Sequence, residues 1–158
     1  MNMSTNYYRG VEDKPYHLSV GAVLMNDQGQ VACHHFEKIR GYEDIYILMR
    51  ETMEPGESID EALARGLMEE FGATAKIRTF LGSTVVDVTD SPTPFEKTTL
   101  YFVCDLIEMD NAKRLTDDPE AGSTVMWKEI PELQDLMKAQ GKRYDLSDID
   151  ESEVLDRL

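Results

Sequence analysis

Residues 51–73, ETMEPGESIDEALARGLMEEFGA, restrict the fold more than any other stretch of the chain. A Pro-Gly pair near its start has turn chemistry. Ser58 is a typical helix N-cap, and Glu61 completes a capping box with it. Gly72 is a typical C-terminal stop. We therefore predict one helix between these caps, from Ile59 to Phe71. Its apolar residues recur at helical spacing and form one stripe: Ile59, Ala62, Leu63, Leu67 and Phe71.

The other face of this predicted helix is charged. Glu61, Arg65 and Glu69 follow one another at intervals of four residues, so their side chains are neighbours. Glu70 comes directly after Glu69, and two adjacent carboxylates repel each other unless a cation lies between them. Carboxylate oxygens are hard ligands that suit Mg²⁺, Mn²⁺ or Ca²⁺. The spacing therefore favours a divalent cation at this end of the helix.

The same stretch resembles the Nudix box, the signature of the Nudix hydrolases. The family pattern is Gly, five residues, Glu, seven residues, and then Arg-Glu-aliphatic-x-Glu-Glu-x-Gly-aliphatic. The residues that fall on this pattern are Glu57, Arg65, Leu67, Glu69, Glu70 and Gly72. The box is degenerate at two positions, because Glu51 stands in place of the first Gly and Gly66 in place of a Glu.

The resemblance implies a fold and an activity. The fold is an α/β/α sandwich with a mixed β-sheet, and the order of strands and helices along the chain agrees with such an α+β fold. The activity is metal-dependent cleavage of a pyrophosphate bond in a nucleoside diphosphate linked to another moiety, with Mg²⁺ or Mn²⁺ as cofactor. The alternative is a catalytically impaired domain that binds a nucleotide or phosphorylated ligand.

The resemblance also implies roles for the box residues. Glu69 and Glu70 would bind the metal. Arg65 would pair with a box glutamate and hold the carboxylates in place, and Glu57 is its usual partner. These four residues are therefore candidate catalytic residues.

In this family a further carboxylate often comes from a loop shortly before a Trp near the end of the domain. Trp127 is the sole Trp of this chain, and Glu120 precedes it by seven residues. Glu120 is therefore a candidate metal ligand, with Asp117 and Asp118 as alternatives.

Gly66 stands where the family has a glutamate that binds metal or acts as general base. One hypothesis is that Glu51 supplies the missing carboxylate from the facing segment, which makes it a further catalytic candidate. Another is that the base is Glu96, Asp117, Asp118 or Glu120. A third is that only the fold and ligand binding remain.

The sequence signals for substrate contacts are less specific than the box. Arg50, Arg40 and Arg78 are candidate phosphate contacts, although an Arg more commonly forms surface salt bridges. Tyr46 and Tyr42 precede the box, where each would either stack on a nucleobase or pack in the protein.

Composition excludes several classes of partner. The net charge of −15 argues against a nucleic-acid polymer and against anionic membranes, because both would repel the chain. A small phosphorylated or nucleotide substrate is compatible with it if metal ions bridge the two. No apolar run is long enough for a transmembrane helix, and the N-terminus is not typical of a secretory signal. We therefore expect a cytoplasmic protein with two buried free cysteines, and a homodimer is left open.

We predict three regions along the chain: a polar N-terminal arm (1–15), a Nudix-like domain (16–140) and an acidic tail (141–158). The tail either forms a short helix or docks a partner. Strands are predicted at 17–25, 30–37, 44–50, 76–88, 96–106 and 123–128. Pro131 begins a second helix, which we expect Gly141 to end.

Overall fold

A computed structural model describes residues 8–117 and 119–158. Asp118 and the first part of the predicted N-terminal arm lie outside the described residues. The strands are β1 (Tyr16–Met25), β2 (Val31–Ile39), β3 (Tyr42–Ile47), β4 (Met49–Thr52), β5 (Ala73–Val88), β6 (Phe95–Met109) and β7 (Thr124–Lys128). The α-helices are α1 (Ile59–Phe71), α2 (Ile130–Tyr144) and α3 (Ser152–Leu155). None of the helices in the described part of the chain is long and apolar enough to cross a membrane.

The strands form one mixed sheet with the order β3-β2-β1-β6-β5. β1 and β6 are parallel, whereas β1 with β2, β2 with β3, and β5 with β6 are antiparallel. β4 pairs with β1 and β7 pairs with β2. The predicted fold class, an α+β sandwich built on a mixed sheet, is confirmed.

Helices cover both faces of the sheet because successive side chains of a strand point to opposite sides. Ala22 and Leu24 of β1 face the core that also contains Leu67 of α1. Val23, between them, faces a second core that contains Met137 of α2 and Leu155 of α3. The result is a three-layer α/β/α arrangement.

Helix α1 has the predicted bounds because its end signals are local. The Oγ of Ser58 accepts a hydrogen bond from the backbone N–H of Glu61, and the Glu61 carboxylate accepts one from the Ser58 N–H. Gly72 takes the left-handed conformation with φ 62° and caps the C-terminal end. Each cap satisfies backbone groups that a helix end leaves unpaired.

The single strand predicted over residues 44–50 is wrong, because the chain forms two strands there. β3 pairs with β2, whereas β4 pairs with β1. The interruption falls at Leu48, whose N–H donates to the carboxylate of Glu151, 2.8 Å away. This hydrogen bond to a residue of the tail replaces the ladder bond that the break removes.

The prediction that Gly141 ends α2 is also wrong. The helix continues to Tyr144 and is capped by Asp145, which has φ 52°. A Cβ at Gly141 would lie 2.7 Å from the Cβ of Asp150. This glycine therefore permits close approach of the tail, and the boundary predicted at residue 141 falls inside α2.

Glu151 anchors the tail to the sheet. Its side chain is 4% exposed. One carboxylate oxygen accepts from Leu48 N–H and the other from the Tyr101 hydroxyl at 2.5 Å, and the Arg50 guanidinium lies 3.6 Å away. Burial raises the pKa of Glu151, while Arg50 and these hydrogen bonds oppose the shift. The junction of β3 and β4, strand β4 itself and strand β6 thus all contact one buried carboxylate.

We predict that Glu151→Ala lowers the free energy of unfolding by about 3 kcal/mol, because it leaves two buried donors, the Leu48 N–H and the Tyr101 hydroxyl, without their acceptor. Urea denaturation measures the change. Glu153→Ala is the control, since Glu153 is exposed two residues further along the chain and should change stability by less than about 0.5 kcal/mol. Equal transition midpoints for the two variants would contradict the anchoring role.

Candidate functional site

A cleft of about 320 Å³ opens beside helix α1. Three glutamates from separate parts of the chain line it: Glu51 of β4, Glu70 of α1 and Glu120, which precedes β7. The sequence had indicated each of them as a candidate site residue. The fold brings them to one cleft because β4 packs on α1 and the segment before β7 passes the C-terminal end of that helix.

Glu70 is buried at the end of α1, with 2% of the residue exposed. Its Oε2 accepts a hydrogen bond from Nε2 of His34, 2.7 Å away, and Nδ1 of His34 lies 2.7 Å from the hydroxyl of Ser123. The His34 ring also packs against Phe71, with ring centroids 4.7 Å apart. His34 therefore orients the Glu70 carboxylate, a role that the sequence analysis missed.

Arg114 holds the segment of Glu120 against the end of α1. Its guanidinium donates to the backbone oxygens of Glu70 at 2.6 Å, Glu120 at 3.0 Å and Ser123 at 3.0 Å. A cation suits a helix C-terminus because the carbonyl groups there carry partial negative charge. Arg114 thus fixes the backbone of Glu120 relative to Glu70, and sequence analysis missed it as well.

Arg65 connects α1 to the preceding loop and strand. It makes two hydrogen bonds to the Glu57 carboxylate, at 2.7 and 3.0 Å, and one to the backbone oxygen of Thr52 at 2.9 Å. Glu51 and Glu69 also pair with it, at 3.3 and 3.5 Å. The hydrogen bonds from Arg65 hold the pKa of Glu57 below its usual value. The geometry therefore has Arg65 paired with the box glutamate that the resemblance named.

Glu51 and Gly66 are in close contact. A Cβ at Gly66 would lie 2.8 Å from Cβ and 3.2 Å from Cγ of Glu51, and 2.9 Å from Sδ of Met49. Only a glycine leaves room for the Glu51 side chain here, because two carbon atoms do not approach so closely. Burial raises the pKa of Glu51, an effect that Arg65 opposes. The Glu51 side chain thus lies directly against the helix position where the family pattern has a glutamate.

Glu69 differs from Glu70 in its surroundings. It is not among the residues that line the cleft, and its carboxylate lies beside Arg65. In residues 8–117 and 119–158, no group of three or more His, Cys, Asp or Glu side chains is gathered closely enough to hold a metal ion. The donors that line the cleft are nevertheless carboxylates, whose chemistry fits a hard divalent cation.

The two predicted substrate contacts lie in different places. Arg50 lines the cleft, but its guanidinium donates to the backbone and side-chain oxygens of Asp148, each 2.9 Å away. Tyr46 is not part of the cleft lining; its ring stacks on His35, with centroids 4.5 Å apart. Tyr42 lines the cleft instead. Sequence could not distinguish Tyr42 from Tyr46, because residues four apart share one face of a regular strand. Asp44, between them, has a φ of 52° that interrupts the regular strand.

Arg78 and Glu96, also considered from sequence, are not among the residues that line the cleft. Arg78 pairs with Asp105 on the neighbouring strand. Asp118 lies outside the described residues. His17, Lys97 and Asp148 do line the cleft, and the sequence analysis missed them because they come from β1, β6 and the tail.

We predict that Gly66→Ala destabilises the protein by about 1–3 kcal/mol through overpacking against Glu51. In a Glu51→Gly background the same change should cost less, because only the flexible side chain of Met49 remains in contact, with its Sδ 2.9 Å from a Cβ at residue 66. A double-mutant cycle of urea unfolding measures this difference. If Gly66→Ala has the same effect in both backgrounds, the two residues do not compete for space.

Comparison with known proteins agrees with the fold and the box. The family model of the NUDIX domain matches residues 15–147. A NUDIX hydrolase from Nitrosomonas europaea has a TM-score of 0.65 and 20% identity over 89% of this chain and 86% of that chain. The E. coli ORF135 protein has a TM-score of 0.57 and 18% identity, over 89% and 86% of the two chains.

The MutT protein from Methanosarcina mazei Go1 has a TM-score of 0.53 and 20% identity, over 83% of this chain and 94% of that chain. No curated protein matches the chain at a significant level. At these identities the solved structures establish the fold, while the family model, which spans most of the chain, establishes the family. The chain belongs to the NUDIX hydrolase family, whose members hydrolyse pyrophosphate bonds in nucleoside diphosphate derivatives and generally use divalent metal ions.

Proposed function

We propose that this chain is an active hydrolase that depends on Mg²⁺ or Mn²⁺ and cleaves the pyrophosphate bond of a nucleoside diphosphate linked to another moiety. The proposed metal ligands are Glu70 and Glu120, together with Glu51. Glu69, which shares Arg65 with Glu51, completes the acidic set. The proposed substrate is a small nucleotide, because the cleft is closer in size to a small-molecule site than to a polymer groove.

The contact between Glu51 and Gly66 carries this proposal. Relative to the family pattern, a glycine and a glutamate have exchanged positions, and the two positions touch in the fold. Simple loss of the helix glutamate would leave space at residue 66. Here the side chains of Glu51 and Met49 occupy that space, and Glu51 lines the same cleft as Glu70. The exchange therefore moves a carboxylate from helix to strand and keeps it in the site.

The residues around the cleft have different proposed roles. Arg65 and Glu57 hold α1 against the loop and so position the carboxylates. His34 orients Glu70, and Arg114 orients the backbone of Glu120. Glu51 is the proposed general base or a further ligand, since its raised pKa suits a group that accepts a proton. When bound, the metal would neutralise the phosphates and orient the attacking water.

The second candidate is a domain that binds a nucleotide without hydrolysing it. Two observations favour it: helix α1 lacks the family glutamate at Gly66, and the described part of the chain contains no closely gathered group of three potential metal ligands. Arg50 has a different role under either candidate. The Arg50 guanidinium is bonded to Asp148 and is therefore not free to contact the substrate. It holds the wall of the cleft in place instead.

A cytoplasmic location is part of the proposal. Cys33 and Cys104 are free and buried, as is typical of a protein that folds in a reducing compartment. Burial raises the pKa of both thiols to about 12. Neither thiol is therefore reactive at neutral pH.

We predict that the wild type converts a member of a panel of nucleoside diphosphate derivatives to a nucleoside monophosphate and the phosphorylated second moiety when Mg²⁺ or Mn²⁺ is present. Glu51→Gln should lower kcat about 100- to 10,000-fold, the usual contribution of a positioned base. Glu70→Gln should weaken Mn²⁺ binding in calorimetry, because it removes a charge while the shape is kept. Asp60→Asn is the control, since Asp60 is exposed on the same helix.

The outcomes separate the candidates. Turnover that survives Glu51→Gln would move the base to another carboxylate, such as Glu120 or Glu96. If no substrate is hydrolysed but a nucleotide raises the melting temperature through linkage, the binding domain is correct. Equal Mn²⁺ affinities for the wild type and Glu70→Gln would exclude Glu70 as a ligand.

A further inference from the structure

A series of hydrogen bonds links Arg114 to the carboxylate of Glu70. Nη2 of Arg114 donates to Oγ of Ser123 at 2.9 Å, and the same Oγ lies 2.7 Å from Nδ1 of His34. Nε2 of His34 in turn lies 2.7 Å from Oε2 of Glu70. Ser123, His34 and Glu70 are all buried, so water has little access to these bonds. We refer to the four residues as the Glu70 network.

The position of Arg114 fixes the direction of the first bond. Three backbone oxygens, those of Glu70, Glu120 and Ser123, hold its guanidinium at distances of 2.6 to 3.0 Å. A guanidinium has donors and no acceptor, so Arg114 must donate at Oγ of Ser123. The hydroxyl hydrogen of Ser123 then points to Nδ1 of His34, the other group bonded to that Oγ within residues 8–117 and 119–158.

These directions determine which ring nitrogen of His34 carries the hydrogen. Nδ1 accepts from Ser123, so the hydrogen is on Nε2 and is donated to Oε2 of Glu70. The opposite tautomer would set two lone pairs against each other across 2.7 Å, unless Glu70 itself carried a proton. A carboxyl group must lose its proton to bind a metal ion. The direction of the bonds in the Glu70 network therefore fits a carboxylate ligand.

We propose that Arg114 and Ser123 are positioning residues for Glu70. They fix His34 as the tautomer with its hydrogen on Nε2, and this N–H keeps Oε2 of Glu70 from binding the metal. The inference rests on the proposed role of Glu70 as a metal ligand. It goes beyond that role, because it gives a function to residues outside the ligand set.

The Glu70 network has a consequence for the choice of metal. A ligand of which one oxygen is already engaged suits Mg²⁺ or Mn²⁺, which bind in octahedral geometry with few carboxylates. Ca²⁺ has a higher coordination number and readily takes both oxygens of one carboxylate. Loss of the His34 N–H should therefore harm Mn²⁺ binding more than Ca²⁺ binding. A change that only loosened the fold would weaken both.

The tautomer is measured by nitrogen NMR of metal-free protein labelled at histidine, at neutral pH. In the wild type, His34 should have a bare Nδ1 and a protonated Nε2. Ser123→Ala removes the hydroxyl and should shift the Nδ1 resonance or mix the two tautomers. Thr124→Ala is the matched control, because it removes a hydroxyl from the next residue, which is exposed. It should leave the His34 resonances unchanged.

Calorimetric titrations with Mn²⁺ and Ca²⁺ measure the effect on the metal. His34→Leu should weaken Mn²⁺ binding about 10- to 100-fold, the usual effect of losing the partner of a metal ligand, and Ca²⁺ binding less. His34→Gln should bind Mn²⁺ more tightly than His34→Leu, since its amide N–H replaces the N–H of the ring. His35→Leu is the control on the same strand, because His35 is bonded to Asp44 instead. It should bind both ions as the wild type does.

The proposal is overturned if Nδ1 of His34 is protonated in the wild type, either in the other tautomer or in an imidazolium. It is also overturned if Ser123→Ala and Thr124→Ala give the same His34 resonances. Equal losses of Mn²⁺ and Ca²⁺ affinity in His34→Leu would show that His34 serves folding alone.

The Glu70 network and the proposed hydrolysis can fail separately. Hydrolysis by a wild type whose His34 is protonated on Nδ1 would refute the network and leave the proposed function standing. The expected tautomer and the expected loss of Mn²⁺ preference, in a protein that hydrolyses no substrate, would support the network and refute the activity.

Discussion

The geometry of the site depends on the contact between Arg65 and the segment before α1. One guanidinium bonds the Glu57 carboxylate twice and the backbone of Thr52 once, and it also pairs with Glu51. Such a two-pronged bond fixes direction as well as distance. Because Arg65 is on the helix and its partners precede the helix, α1 has one position relative to β4. Every distance between a carboxylate of the helix and a carboxylate of the strand follows from that position.

That fixed position explains why an exchange of residues between strand and helix is tolerated. At Gly66 the helix approaches β4 closely enough that a side chain fits on one element only. Interiors packed to this density do not accommodate an extra carbon atom without strain. The family pattern places the side chain on the helix, and this chain places it on the strand as Glu51. The exchange changes which element carries the carboxylate, and Glu51 lines the same cleft as Glu70.

The cleft combines two kinds of chemistry in a strongly acidic protein. Its lining includes carboxylates next to α1 and cations from the N-terminal segment, a turn and β6. Among the described residues, the carboxylates and the cations of the cleft differ in whether they have partners within the protein. Glu70 is held by His34 and Glu51 by Arg65, whereas Lys97 is left without an ion pair among the described residues.

Sequence was sufficient wherever the determinants are local. The caps Ser58 and Gly72 and the apolar spacing between them determine α1, because helix ends are satisfied by neighbours within a few residues. The box spacing likewise identified the fold class, and it named Glu70 and Arg65 in advance. It did not separate Glu70, which lines the cleft, from Glu69, which does not, because their different surroundings come from elsewhere in the chain.

The contacts between residues far apart in the chain depend on the tertiary structure. His34 meets Glu70 only because β2 passes beside the end of α1, and Lys97 meets His17 only because β1 and β6 pair in parallel. The tail reaches the sheet through Glu151, so it packs in the fold although its sequence is acidic and polar. No local pattern encodes such contacts, since they depend on strand order and register. The sequence by itself determined the helix, the fold class and the family; the tertiary structure decided which charges share the cleft, because residues far apart in the chain become neighbours only when the sheet forms.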